Sequence, residues 1–218
     1  MPVRKVLFSP GEFYHLYNRG NSRQEIFHTR QDYNRFVALL YVANGTTSLD
    51  LREIKPEDVF TFDRGEQQVA IGAYCLMPNH FHILLTPLVA DGVTNFMRKL
   101  TTGYSMYFNK RHFRTGSLFE GRFKSEHANT DTYLKYLFSY IHLNPVKLIQ
   151  SDWREVGISN REAALEYVQN FQYSSYVDGE QMRHQSAILN RDVFPEYFSN
   201  PVDFANDLIE WLSYDNHP

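Results

Sequence analysis

Two histidines stand one residue apart in the otherwise apolar run MPNHFHILL (residues 77–85). If this run is a β-strand, His80 and His82 project to one face and Phe81 projects to the other, because successive strand residues alternate. Two imidazoles on a rigid strand are potential metal ligands. Two unrelated histidines are the alternative, since the triplet alone is a weak signal in a chain with nine histidines. A pair also holds a metal poorly, so this hypothesis requires a third ligand.

The segment YLKYLFSYIHLNP (residues 133–145) has helical spacing and contains a suitable third ligand. Tyr140 and Asn144 are four residues apart, so they lie on one helix face, one turn from each other. An amide oxygen with two imidazoles suits Mg²⁺ or Mn²⁺ better than a closed thiolate zinc site, and Cys75 is the only cysteine. Tyr140 would then lie beside the metal.

A tyrosine beside a metal can act as a nucleophile on a phosphodiester, provided that its hydroxyl is in line and the metal polarises the phosphoryl oxygens. The product would be a phosphotyrosine, which keeps the energy of the phosphodiester and allows rejoining to another end. Tyr133 and Tyr136 on the same helix are rival nucleophiles, although Tyr136 is expected to pack and Tyr133 lies near the helix start. His142 lies on a different face from Tyr140 and is expected to be structural or to support the site.

The pattern along the chain predicts an α+β fold. Apolar and alternating segments predict strands, and segments with apolar residues at i, i+3, i+4 and i+7 predict helices. The resulting order is strand, helix, strand, strand, helix, strand and a further helix, which is typical of a ferredoxin-like antiparallel sheet with helices on one face. We expect a domain over residues 1–150 and an acidic, mixed extension over 151–218, with a closing helix at VDFANDLIEWLS (202–213). The polar stretch 50–68 is expected to be an exposed connection.

Charge is unevenly distributed over the chain, whose net charge is −3. From Ser151 onward there are four basic and twelve acidic residues, whereas the first 150 residues carry 18 basic and 13 acidic. The segment 97–127 is the most basic, which favours contact with nucleic acid; solvated helix faces are the alternative. No run is long and apolar enough for a membrane span or signal peptide, and the one cysteine suits a reducing compartment, so we expect a cytoplasmic protein.

Five motifs in order carry a resemblance to a known family: YHLYNRGNSRQEIF, YCLMPNHFHILL, GSLFEGRFKS, YIHLNPV and YSSY. Together they resemble the REP-associated tyrosine transposases, which belong to the HUH class of single-strand transposases with one catalytic tyrosine. The resemblance implies that the histidine–hydrophobe–histidine motif is His80, Phe81 and His82. It further implies that the catalytic tyrosine is Tyr140 and that the polar metal ligand is Asn144.

The family resemblance also implies an activity and a substrate. Its members cut and rejoin single-stranded DNA near short palindromic hairpins, with a covalent 5′-phosphotyrosine and a free 3′-hydroxyl. A non-catalytic hairpin-binding descendant and a metallohydrolase that uses water are the rival functions. The chain is expected to act as a monomer or a homodimer, since relatives in the wider class exchange the tyrosine helix between subunits. Six basic residues are candidates for DNA contact: Arg19, Arg98, Lys99, Arg114, Arg122 and Lys124.

Overall fold

The computed structural model describes residues 7–47, 54–180 and 183–197, and this part of the chain contains one four-stranded antiparallel sheet. Its strands are β1 (Tyr14–Arg19), β2 (Val69–Met77), β3 (His80–Pro87) and β4 (Lys124–His127), in the spatial order β2-β3-β1-β4. The hairpin of β2 and β3 turns at Pro78 and Asn79. This order, with helices between β1 and β2 and between β3 and β4, is the ferredoxin-like arrangement and confirms the predicted α+β class.

Two helices, α1 (Arg30–Val42) and α2 (Gly92–Arg111), cover one face of the sheet. The face is apolar because Leu16 of β1 and Phe81 and Ile83 of β3 point towards it and are fully buried. Helix α1 begins at a capping box in which Thr29 accepts a hydrogen bond from the backbone of Asp32. The prediction of helices on one face is therefore correct for α1 and α2.

A third helix, α3 (Asp131–Leu143), lies on the opposite face of the sheet. Thr130 caps its first turn, and its apolar side, with Leu137 and Ile141, packs on the small side chains Ala73 and Cys75 of β2. The sheet is thus covered on both faces, because the alternate residues of β2 are apolar on each side. Helix α3 departs from the prediction that the helices share one face. Its apolar stripe is evident in the sequence, but the sequence does not say which face of the sheet it covers.

Part of the chain after α3 covers the outer edge of β2. Helix α6 (Ser175–Glu180) contacts this strand, whereas α4 (Trp153–Val156) and α5 (Arg161–Asn170) pack with α6 and the end of α3 in a separate apolar cluster. The side chain of Ser175 accepts a hydrogen bond from the backbone of Tyr74 at 2.8 Å, and the carbonyl of Tyr173 accepts one from Leu76 at 2.9 Å. An edge strand is thereby kept from pairing with other chains. The closing helix predicted over 202–213 lies outside the described residues.

The described part of the polar connection, residues 54–68, is mostly exposed, as expected, but two of its side chains are anchored in the fold. Val59 is buried, and Arg64 is only 7% exposed. The guanidinium of Arg64 stacks 3.9 Å from the ring centroid of Tyr41 and donates to its carbonyl. A cation on an aromatic ring, with a hydrogen bond, can be buried even in a segment whose composition is polar.

Asp32 joins the start of α1 to the end of α2, and its carboxylate is fully buried. It accepts hydrogen bonds from Thr29, from His112 at 3.0 Å and from Tyr107 at 3.2 Å, and Arg111 lies 3.6 Å away. Burial alone would raise the pKa of Asp32, but the hydrogen bonds from His112 and Thr29 outweigh burial and lower it below its ordinary value.

We predict that Asp32→Asn lowers the free energy of unfolding by about 2 kcal/mol at pH 7, because it replaces hydrogen bonds to a buried charge. Since the folded pKa is depressed, the advantage of the native chain is full above the ordinary carboxyl pKa. It declines as pH falls below about 4. Urea unfolding at pH 7 and pH 3 measures both effects, with the exposed Glu57→Gln as a control expected to change stability little. An equal loss for both variants at pH 7 would contradict the role of Asp32.

Candidate active site

The two histidines of the HFH triplet open strand β3. Opposite them on β1, His80 is paired with Arg19 and His82 with Tyr17. The imidazole rings lie 5.0 Å apart between centroids, and Phe81 is fully buried on the other face. The alternation predicted from the sequence is confirmed, and it places both imidazoles on the face that α3 covers.

Helix α3 brings the tyrosine and the amide to these histidines. The ring of Tyr140 stands edge-on to His82, with 5.5 Å between centroids and 78° between planes. Asn144 begins the 3₁₀ turn Asn144–Leu148 after α3, is 3% exposed, and makes a side-chain hydrogen bond with His80. One chain thus brings the four predicted residues together without an exchanged helix. Their roles in catalysis and metal binding remain predictions.

A third histidine lies in the same cluster and was not among the predicted site residues. Nε2 of His15, on β1, lies 2.8 Å from Nδ1 of His82, and the two rings stack with 5.0 Å between centroids. The only sign of His15 in the sequence is its place two residues before Tyr17 in an alternating strand, which puts both side chains on one face. That signal becomes readable only once the register of β1 against β3 is known, because a shift by one residue would move His15 to the other face.

Glu126 of β4 lies beside His15 and collects hydrogen bonds from two tyrosines. It accepts from the hydroxyl of Tyr17 at 2.8 Å and from that of Tyr133 at 3.0 Å. The neighbouring His15 is the largest cause that lowers the pKa of Glu126, to about 2. The structure places Glu126 at the edge of the site. Tyr133, a rival nucleophile, has its hydroxyl engaged by this carboxylate.

Burial keeps the paired imidazoles neutral. It lowers the pKa of His80 to about 4, with a further contribution from the charges of Lys147 and Arg19, while the hydrogen bond with Asn144 opposes it. Burial also lowers the pKa of His82 well below its ordinary value, and the neighbouring His15 adds to this effect. Neutral imidazoles have a lone pair to offer, which is the form that binds metals.

The donor atoms of the cluster are compatible with a small divalent cation. Nε2 of His82 is buried, and no described residue makes a hydrogen bond to it. No group of three or more His, Cys, Asp or Glu side chains within the described ranges is arranged to hold a metal, so a third protein donor would have to be of another kind, such as an amide. Asn144, beside His80, supplies that amide. Two neutral imidazoles and one amide oxygen fit the predicted Mg²⁺ or Mn²⁺, which remains a prediction.

A groove of about 770 Å³ opens beside His80. It is bordered by the end of β1, the β2–β3 turn, the start of β4 and the 3₁₀ turn after α3. Two acidic side chains, Glu25 and Glu120, and four basic ones line it: Arg19, Arg23, Lys124 and Lys147. Arg19 and Lys124 were predicted DNA contacts, whereas Lys147 was missed although it follows Asn144 by three residues. The groove presents an excess of positive charge, which favours contact with a nucleic-acid strand.

The other predicted DNA contacts lie away from this groove. Arg98 and Lys99 belong to α2, on the opposite face of the sheet, and Nζ of Lys99 donates to the carbonyl of Gly45. The guanidinium of Arg114, just after α2, lies 5.7 Å from the ring centroid of Phe108.

Arg122, another predicted DNA contact, lies outside the strand that contains Lys124. Strand β4 begins only at Lys124, and Gly121, with a φ of 151°, changes the direction of the chain before it. A φ in this region is accessible mainly to glycine, so the turn is built into the sequence. Arg122 is exposed in the loop beside the end of β1, where the carbonyl of Gly121 accepts a hydrogen bond from Asn18.

A family model described as "Transposase IS200 like" matches residues 13–144, which is more than half of the chain. The chain belongs to the IS200-like transposases. No curated protein matches its sequence. A solved structure, titled as the REP-associated tyrosine transposase bound to a REP hairpin, has 13% sequence identity and a TM-score of 0.51. The match covers 92% of this chain and 93% of that chain. At this identity it shows a common fold, and it agrees with the family predicted from the sequence.

In this IS200-like transposase, one further site residue lies beyond the matched region. The guanidinium carbon of Arg154, in α4, is 5.0 Å from the ring centroid of Tyr140, and Arg154 also hydrogen-bonds with Tyr136. Trp153, 3% exposed, anchors this short helix in the core. Sequence reasoning missed Arg154 because it belongs to the acidic extension, where one basic residue carried no signal.

The remaining predicted features of the helices can also be placed. His142 is buried on the far side of α3, where its Nε2 lies 2.8 Å from the side-chain oxygen of Ser175, so its predicted structural role fits its position. None of the helices in the described ranges has the length and apolar character needed to cross a membrane.

Proposed function

We propose that this IS200-like transposase cuts and rejoins single-stranded DNA through Tyr140, at palindromic hairpin elements. The observation that carries the proposal is the contact of the Tyr140 ring with His82, whose Nε2 is buried without a partner among the described residues. The proposed nucleophile therefore lies beside the two imidazoles, which have a lone pair available to bind a metal. The hairpin substrate is suggested by the structural neighbour, which is bound to a REP hairpin.

The proposed reaction exchanges one phosphodiester for another. The phenolic oxygen of Tyr140 attacks the scissile phosphorus, and its proton passes to water. The bond from phosphorus to the 3′-oxygen breaks, and that oxygen takes up a proton to become a 3′-hydroxyl. The fragment on the 3′ side of the cut stays on Tyr140 through its 5′-phosphate, as a phosphotyrosine, which a second 3′-hydroxyl can attack to rejoin the DNA and restore the phenol.

The residues around Tyr140 serve the phosphate in this proposal. His80, His82 and Asn144 would hold Mg²⁺ or Mn²⁺, which supplies positive charge to polarise the phosphoryl oxygens. Arg154 places a permanent cation beside the same phenol, where it can contact the phosphate. The flanking strand would lie in the groove, against Arg19, Lys124 and Lys147.

We predict that Tyr140→Phe abolishes a covalent protein–DNA adduct, because the variant keeps the ring but lacks the attacking oxygen. The assay uses a labelled single-stranded hairpin oligonucleotide with Mn²⁺ and a denaturing gel. Tyr136→Phe is the matched control, one turn away in the same row of stacked rings, and is expected to retain the adduct.

Two outcomes of that assay would favour the rival functions. Tight binding without an adduct for the native chain would favour a hairpin-binding protein that does not cut. Cleavage that survives Tyr140→Phe would favour a hydrolase that uses water. An adduct that disappears with EDTA and returns with Mn²⁺ would support the metal requirement.

We also predict that Lys124→Gln and Lys147→Gln weaken binding to a single-stranded oligonucleotide, because each removes a charge that faces the groove. Each lost phosphate contact should reduce the slope of log K against log salt by about 0.7. Binding measured by fluorescence anisotropy at several salt concentrations gives both values. Arg98→Gln, on the other face of the sheet, is the control and should change neither. A loss as large for Arg98→Gln as for the lysines would mean that the DNA follows another path.

A further inference from the structure

The contact between His15 and His82 joins two buried histidines from neighbouring strands. His15 is 4% exposed and His82 is 5% exposed, and they are diagonal neighbours, since His82 is paired with Tyr17 and His15 with Leu84. With 2.8 Å between Nε2 of His15 and Nδ1 of His82, one proton must lie between them. The identity of the nitrogen that carries this proton decides what His82 can do at its other nitrogen.

Two arrangements of a neutral histidine pair satisfy this contact. If His82 carries the proton on Nδ1, it donates to His15, and its Nε2 presents a lone pair to the site. If His15 carries the proton on Nε2, then His82 carries its own proton on Nε2 and has no lone pair there. In the second case the Nε2–H group of His82 would be buried without an acceptor among the described residues; in the first case the Nδ1–H group of His15 also makes no hydrogen bond there, but it faces the carboxylate of Glu126. A buried donor without a hydrogen bond is unfavourable, so the two arrangements differ in the charge that the buried donor faces.

Glu126 distinguishes the two arrangements. Its Oε2 faces Nδ1 of His15 at 3.8 Å, and Tyr17 and Tyr133 hold the carboxylate in place by donating to its two oxygens. A negative charge at this distance favours a proton on Nδ1 of His15 and disfavours a lone pair there. With the proton on Nδ1, a neutral His15 has its lone pair on Nε2 and must accept from His82.

We propose that His15, oriented by Glu126, is a positioning residue that holds His82 in the Nδ1–H tautomer, so that its Nε2 lone pair points into the active site. This role rests on the proposed function, because it matters only if His82 binds the metal of that reaction. A histidine that carries its proton on Nε2 cannot bind a metal through that atom. The tautomer itself is a property of the metal-free and DNA-free protein. It can therefore be tested independently of any reaction.

The first test is the tautomer of His82, read from the ¹⁵N chemical shifts of histidine side chains in the metal-free full chain. The native protein is expected to show Nδ1–H at His82. His15→Phe keeps an aromatic ring of similar size but offers no acceptor, so Nε2–H should appear at His82. His15→Gln retains an acceptor near the position of Nε2 and should preserve the native tautomer. His127→Phe, which removes another carboxylate-paired histidine of the same sheet, is the matched control and should have no effect.

The second test is the affinity for Mn²⁺ alone, measured by titration without DNA. His15→Phe should bind Mn²⁺ between about tenfold and a hundredfold more weakly, whereas His15→Gln and His127→Phe should remain close to the native protein. A purely structural effect of His15 would instead weaken both His15 variants in step with their loss of thermal stability.

The outcomes separate this inference from the proposed function. Nε2–H at His82 in the native protein, a doubly protonated His15, or a tautomer unchanged by His15→Phe would overturn the positioning role, whatever the catalytic result. The expected tautomers in a protein that forms no DNA adduct would leave the positioning role supported and count against the proposed function alone.

Discussion

Strand β3 is buried on both faces, and the alternation of its side chains creates two different environments that the rest of the molecule depends on. Phe81 and Ile83 enter a large apolar core under α1 and α2, while His80 and His82 enter a smaller, mixed layer under α3. Because the apolar residues hold β3 in one register, the histidines have no freedom to turn outward. The positions of the imidazoles are therefore fixed by residues that take no part in the chemistry.

Desolvation gives the layer under α3 its chemical character. Burial depresses the pKa of both imidazoles, whereas two charged side chains, Glu126 and Arg154, lie at the border of this layer. The carboxylate faces the supporting histidine, whereas the guanidinium lies over the tyrosine. The two charges thus stand on different sides of the cluster. Such an arrangement can keep a lone pair directed inward while presenting positive charge to a phosphate.

The fold and the predicted cluster could be inferred from the sequence because both rest on short-range periodicity. The spacing of His80 and His82 decides their common face, and the spacing of Tyr140 and Asn144 decides theirs. The family motifs supplied the expectation that the strand with the histidines and the helix with the tyrosine lie next to each other. His15, Lys147 and Arg154 escaped prediction because their contacts depend on strand register and on the docking of α3 and α4, which no local pattern encodes. Arg98 and Lys99 entered the predicted set through net charge, and charge alone does not indicate a face of the sheet.

The proposed reaction requires that the phenolic oxygen of Tyr140, on the ring that α3 holds against His82, becomes joined to DNA. Mass spectrometry of the proteolysed adduct tests it directly, by locating the nucleotide on a single side chain. The expected result is a 5′-linked nucleotide on Tyr140 itself, and not on Tyr133 or Tyr136 of the same helix. Attachment to either of those two tyrosines, or to a residue outside α3, would contradict it.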